Sequence, residues 1–153
     1  MTVADLETLD MDKPIFDPKA FRLTEQEEEL TALARRVAKS RFAPRAEAID
    51  RDAVFPTQNY RDMHEAGLLG ICVPKEDGGH GAPFRTYMMT AAEIGRYCGA
   101  TALTWNMHVC SCLWTGALTD DLEIEAGERE LHRQRRAVHY KRILEDGAIY
   151  SQP

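Results

Sequence analysis

The sequence has no run approaching the roughly 18 consecutive apolar residues that a membrane helix requires. Its start, MTVADLETLD, is acidic where a secretory leader is basic and then apolar. A membrane span and a leader are therefore not expected, and a cytoplasmic protein is. Cysteine is sparse: Cys72, Cys98, Cys110 and Cys112 make no CxxC pair and no framework spacing, so they read as reduced thiols packed as small apolar groups. A basic excess is also lacking. The net charge is -6, and all of it lies in residues 1–30; the remainder balances. Phosphate neutralisation needs surplus Lys and Arg, which argues against nucleic acid as a partner. What is present is a globular composition, 44% apolar and 29% charged. At 153 residues such a chain is long enough to bury roughly 68–70% of its unfolded surface around one core.

Residues 1–22 carry Pro14 and Pro18 without periodicity and read as an acidic extended lead that covers a surface. Thr24-Glu25-Gln26-Glu27 is a capping box, and Leu30, Leu33, Ala34, Val37 and Ala38 recur at three and four, with Arg35, Arg36 and Lys39 left for solvent. Pro44 should break or kink this helix. A second helix should follow Pro56 and stop at Gly67. Leu68 to Pro74 then reads as extended chain, and Lys75 to Gly81 as a glycine-rich connector without the spacing of a phosphate loop. A third helix, from about Pro83 to Cys98, should bury Tyr87, Met88, Ala91 and Ile94 and end at Gly99. The fourth, Thr101 to Leu118, is apolar on every side, which predicts burial on every side. A fifth starts near Thr119 or after Gly127 and runs to Gly147, with six basic residues between Arg129 and Arg142 forming a solvated face. Residues 148–153 turn extended. The class is all-α, with one helical domain over 23–148.

Few residues invite chemistry. His108 and Cys112 stand at i and i+4, a spacing that suits two ligands of one metal. Nothing nearby supplies two more, so a core cysteine beside a histidine lining a cavity is the preferred reading, with no metal. His132 and His139, seven apart, face one way, toward solvent or a subunit surface. Asp120 and Asp121 read as helix caps. No catalytic group emerges.

The order of segments carries more. Leu23-Thr24-Glu25-Gln26-Glu27, then Phe55-Pro56, then the run Glu65 to Gly81 (EAGLLGICVPKEDGGHG), resembles the amino-terminal helical domain of the acyl-CoA dehydrogenases, and Glu93-Ile94-Gly95-Arg96 and Gly99-Ala100-Thr101 resemble its next two helices. The resemblance covers about residues 22–153. It implies a bundle-like, up-and-down helical domain of an FAD enzyme that oxidises the α,β bond of an acyl-CoA thioester. A carboxylate takes the α-proton, and hydride leaves to the flavin. The resemblance puts the catalytic glutamate in a third domain, beyond a middle β domain, and makes residues 149–153 the start of that β domain. In Ile149-Tyr150-Ser151-Gln152-Pro153 it assigns flavin contacts to Tyr150 and Ser151, with Gln152 departing from the usual glutamate. It lays the acyl-chain wall on Trp105, His108 and Cys112. Alone, the chain is expected to be inactive. It needs the β and carboxy-terminal domains, from missing residues or a partner subunit, in a homo- or hetero-oligomer, with electron-transfer flavoprotein or another acceptor. Alternatives are a flavin monooxygenase or nitroalkane-oxidising relative, and a non-catalytic helical interaction subunit.

Overall fold

A computed structural model describes residues 10–151. Glu25–Val37 forms α1, and Thr24 caps it as its spacing predicts: the Thr24 hydroxyl accepts from the Glu27 amide, and the Glu27 carboxylate accepts the Thr24 amide at 2.7 Å. The proline downstream does not end the helical path. Residues Ala38–Phe42 widen into a π turn in which the Ala43 amide donates to the Ala38 carbonyl, and Pro44 sits in the first turn of α2, Ala43–Arg51. A proline ring there needs no amide hydrogen, so the wide turn absorbs what a break was expected to absorb.

Helix α3, Thr57–Glu65, ends at Gly67, whose φ of 74° takes the left-handed turn. The following apolar run is not extended. Leu68–Gly70 coils into a 3-10 turn, and no strand exists among the described residues for it to pair with. Its carbonyls find other donors: His80 amide to Gly70, Gly81 amide to Val73 and Ala82 amide to Ile71. Gly79 is compulsory in this loop, because a Cβ there would lie 2.2 Å from the Val73 carbonyl oxygen. The connector reading of the glycine cluster therefore has a steric reason.

Helix α4, Phe84–Gly95, buries Tyr87, Ala91 and Ile94 but turns Met88 outward and Met89 inward. Gly99 does not end α4. It opens α5, Gly99–Thr115, after Cys98 turns extended. Helix α5 packs against α4, and α4 against α1. It is not buried all round: Trp105, Val109 and Cys112 face the core, while Leu103 (68% exposed), Met107 and Trp114 face out. A short α6, Ala117–Asp120, leads to α7, Ala126–Asp146, which lies against the 3-10 turns and stops at Gly147 with φ of 68°. Within the lead, residues 10–16 are held to α4. The buried Glu93 carboxylate accepts the Ile15 amide at 2.8 Å and also pairs with Arg35, so Arg35 is not a solvent residue. The expected boundaries at 1–22 and 149–153 partly fall on residues 1–9 and 152–153, outside the described residues.

Candidate functional site

At the carboxy-terminal end of α5 the Gly116 amide caps the Cys112 carbonyl at 2.9 Å, and α7 adds side-chain donors to that carbonyl and to that of Thr115. His132 Nε2 donates to the Thr115 carbonyl at 2.8 Å, Arg136 Nη1 donates to the same oxygen at 3.0 Å, and the Tyr140 hydroxyl donates to the Cys112 carbonyl at 3.2 Å. Cationic groups also suit the negative end of the helix dipole. Arg136 is 3% exposed, and Asp120 at 2.8 Å pairs with its charge. This corrects two expectations: Asp120 is an ion-pair partner rather than a cap, and the basic run is not wholly a solvated face.

Between α5 and α7 lies a cavity of about 410 Å³, within the range of small-molecule sites. Ser111, Cys112 and Thr115 line it from α5; His132, Arg135, Arg136, His139, Tyr140 and Ile143 from α7; Tyr150 and Ser151 from the final segment. Burial pushes the Cys112 thiol up to about 12 and the Tyr140 phenol up to about 12, so both stay protonated at neutral pH. Neither is a thiolate or phenolate nucleophile, and no carboxylate lines the cavity among the described residues.

The final segment is fixed by two imidazoles. The Tyr150 amide donates to His108 Nδ1 at 3.1 Å, and His108 Nε2 donates to the Leu69 carbonyl at 3.0 Å. Those two bonds require a neutral ring with its proton on Nε2. Burial holds the His108 pKa below its ordinary value, against the Leu69 bond that favours the charged ring. On the outer side, His139 Nδ1 shares a hydrogen bond with the Tyr150 hydroxyl at 2.9 Å, and the two rings meet edge to face.

Of the residues singled out from sequence, Cys112, Tyr150 and Ser151 meet at the cavity. His108 lies behind it, fully buried, and accepts the Tyr150 amide. Trp105 does not reach it: the indole is fully buried, donates to the Leu68 carbonyl at 3.3 Å and lies 5.8 Å from the Tyr87 ring. His132 and His139 do share a face, but it is the cavity's. Arg135 and Arg136 belong to the basic run expected to be a solvated face, and Tyr140 carries no sequence signal beyond its place in the stripe 132, 135, 136, 139, 140 and 143 on one helix face. Among the described residues no group of three or more metal-binding side chains comes together.

The family model described as "Acyl-CoA dehydrogenase, N-terminal domain" matches residues 24–118, well over half of the chain. The chain belongs to the acyl-CoA dehydrogenase family. An acryloyl-CoA reductase (NADH) of Anaerotignum propionicum is 42% identical over 89 residues, 58% of this chain and 23% of that protein. A probable acyl-CoA dehydrogenase of Bacillus subtilis is 36% identical over 85 residues, 56% and 22% respectively. A short-chain specific acyl-CoA dehydrogenase of Clostridium acetobutylicum is 32% identical over 92 residues, 60% and 24%. The chain thus spans about a quarter of the length of the curated relatives it matches. The family match ends within α6, so α7 and the Tyr150-Ser151 segment lie beyond it.

Proposed function

We infer that this chain is the amino-terminal part of an FAD enzyme acting on the α,β carbon–carbon bond of an acyl-CoA thioester. The observation that carries the reading is the meeting of Cys112 on α5 with Tyr150 and Ser151 at one cavity: the helix that resembles the family's acyl-chain wall closes against the segment that resembles its flavin contact. A flavin dinucleotide is much larger than about 410 Å³, so these residues suit one edge of it and leave the rest to other domains. The Ser151 hydroxyl can donate to or accept from a ring heteroatom, and Tyr150 can pack beside it. His108 holds the Tyr150 backbone, setting where that edge lies. When bound, the flavin supplies the hydride-accepting group.

The chain's own contribution is shape and exclusion of water. Its buried carboxylates are already engaged, Glu27 by Arg85, Asp62 by Arg41 and Arg45, Glu93 by Arg35 and Arg96, and so is half-buried Asp120, by Arg136. The proton-accepting carboxylate therefore comes from elsewhere in the assembly, together with most of the flavin site. Those parts belong to β and carboxy-terminal domains in the same polypeptide or a partner subunit, and an electron-transfer flavoprotein or another acceptor removes the electrons. The reductase among the relatives supports testing both directions of the reaction. Anaerobic mixing of the complete protein with short acyl-CoAs and an artificial acceptor should reduce the acceptor, and the reverse assay with enoyl-CoA and a reduced donor should saturate the double bond. Oxygen uptake with reduced flavin and no acyl-CoA turnover would instead indicate a monooxygenase.

A further inference from the structure

The lead is fastened to the end of α4 through its main chain. The Glu93 carboxylate accepts the Ile15 amide at 2.8 Å, Arg96 donates to the Lys13 carbonyl at 2.7 Å and the Asp10 carbonyl at 3.2 Å, and the Tyr97 hydroxyl donates to the Met11 carbonyl at 2.7 Å. Side chains of the lead add less. Met11 Sδ lies 3.3 Å from Arg96, and Asp12 pairs with Lys39 in the open, where an ion pair contributes weakly. Ile15 and Phe16 are exposed. The receiving groups are deep: Glu93 is 2% exposed and joined to Arg35 and Arg96 at 3.3 Å each. An emptied groove would give up all of these main-chain bonds at once, most of them to charged groups, whereas a second lead restores every one. Exchange of one lead for another conserves what emptying loses.

The link from the lead to α1 is short and strained. Asp17 Oδ1 accepts the Lys19 amide at 3.0 Å, and the Arg22 amide donates to the Lys19 carbonyl and the Leu23 amide to the Pro18 carbonyl, both at 3.1 Å. This turn puts Arg22 at φ 52°, in the left-handed region that disfavours a side chain of its size. Opened, residues 17–22 reach about 20 Å and relieve Arg22. A short strained hinge beside a segment gripped by its main chain is the setting in which identical chains exchange an element. We propose that Glu93, Arg96 and Tyr97 form a main-chain-reading groove that receives residues 10–16 of a second copy of the chain, exchanged through the hinge at 17–22. None of these residues lines the α5–α7 cavity, so the proposal stands apart from the acyl-CoA reading.

The test co-expresses two forms of the complete protein. One carries an affinity tag, Lys13→Arg, and Ile15→Pro, which takes from its own lead the amide that Glu93 receives. The other keeps its lead and carries Lys39→Arg. Lys13 is then present only in the second form and Lys39 only in the first, so a Lys13–Lys39 cross-link made by a lysine-reactive reagent joins two copies. The second form should co-purify on the tag and give that cross-link by peptide mass spectrometry. Adding Ile15→Pro to the second form as well should lower the yield about 10-fold, the scale of one hydrogen bond to a charged group. Ile15→Ala there, which keeps the amide, should hold it within about 2-fold, and Tyr97→Phe in the tagged form should lower it about 3-fold, the scale of one neutral hydrogen bond. Arg22→Gly in the second form should lower it about 5-fold, because glycine is at ease in the closed turn. No co-purification, co-purification without the cross-link, or a yield indifferent to Ile15→Pro overturns the proposal. So does a yield that falls as far with Ile15→Ala as with Ile15→Pro, since side chains rather than the main chain would then hold the arm.

Discussion

Protonating His108 removes the acceptor of the Tyr150 amide, because Nδ1 is the nitrogen that receives that bond while Nε2 holds the Leu69 carbonyl. The folded ring has a pKa below the ordinary 6.5. The unfolded chain therefore binds the proton first, so His108 contributes its full stability above about pH 6.5 and loses it as pH falls through the folded value. Protection of the Tyr150 amide against exchange, relative to the intrinsic rate at each pH, should fall as pH drops below 6.5, and His108→Gln should flatten that dependence; protection that stays constant with pH would contradict the arrangement. Glu27 has the opposite chemistry. Burial pushes its carboxyl up, but the Thr24 amide, the Arg85 guanidinium and the Thr86 hydroxyl hold it down at about 2. Its contribution, about 3 kcal/mol by linkage, is present above its unfolded value near 4.5 and is lost as pH falls toward 2. Glu27→Gln should lower the melting temperature at pH 7 and shrink the further loss between pH 4.5 and 2. Arg136→Met leaves half-buried Asp120 with only Arg133 at 3.9 Å and removes a donor to the Thr115 carbonyl, and about 1–3 kcal/mol should disappear from chemical denaturation.

At the scale of elements, two glycines separate steric necessity from convenience. Gly79→Ala drives a Cβ into the Val73 backbone at 2.2 Å and should cost about 3 kcal/mol, whereas Gly127→Ala in the first turn of α7 meets nothing within 4 Å and should gain about 0.5–1 kcal/mol from helix propensity. Paired thermal melts check both signs. Helix starts and stops were largely legible in the sequence because capping obeys local rules: the Thr24 box, Pro56, Gly67 and Gly147 all act where their types predict. What local rules missed depended on neighbours. Leu68 to Val73 has the composition of a buried strand, yet with no strand to pair with, its carbonyls are satisfied by loop amides and by the Trp105 and His108 side chains, which a coil permits. The apolar circumference of α5 predicted burial all round, but its outer stripe of Leu103, Met107 and Trp114 is covered by nothing among the described residues.

For the whole molecule, the family and the all-α class could be read from motif order, because motifs such as the Glu65 to Gly81 run keep their sequence identity. The cavity could not, since its walls come from residues about 40 apart, Ser111 and Tyr150 among them. His108 illustrates the limit: sequence placed it beside a cavity with Cys112, but only the fold shows that its Nδ1 accepts the Tyr150 amide. Arg136 illustrates another, since a charge run looks solvated until the counter-ion Asp120 is brought back by the α6–α7 turn. The central claim is that α5 and the Tyr150-Ser151 segment together form the chain's share of a flavin and acyl-CoA site. The most direct measurement is an anaerobic titration of the complete protein with a short acyl-CoA, monitored by visible flavin absorbance. The account predicts stoichiometric flavin that is bleached by the thioester, with the titration weakened when Ser151→Ala removes its hydroxyl. A complete protein without flavin, or full and unaltered flavin retention by residues 1–153 alone, would contradict it.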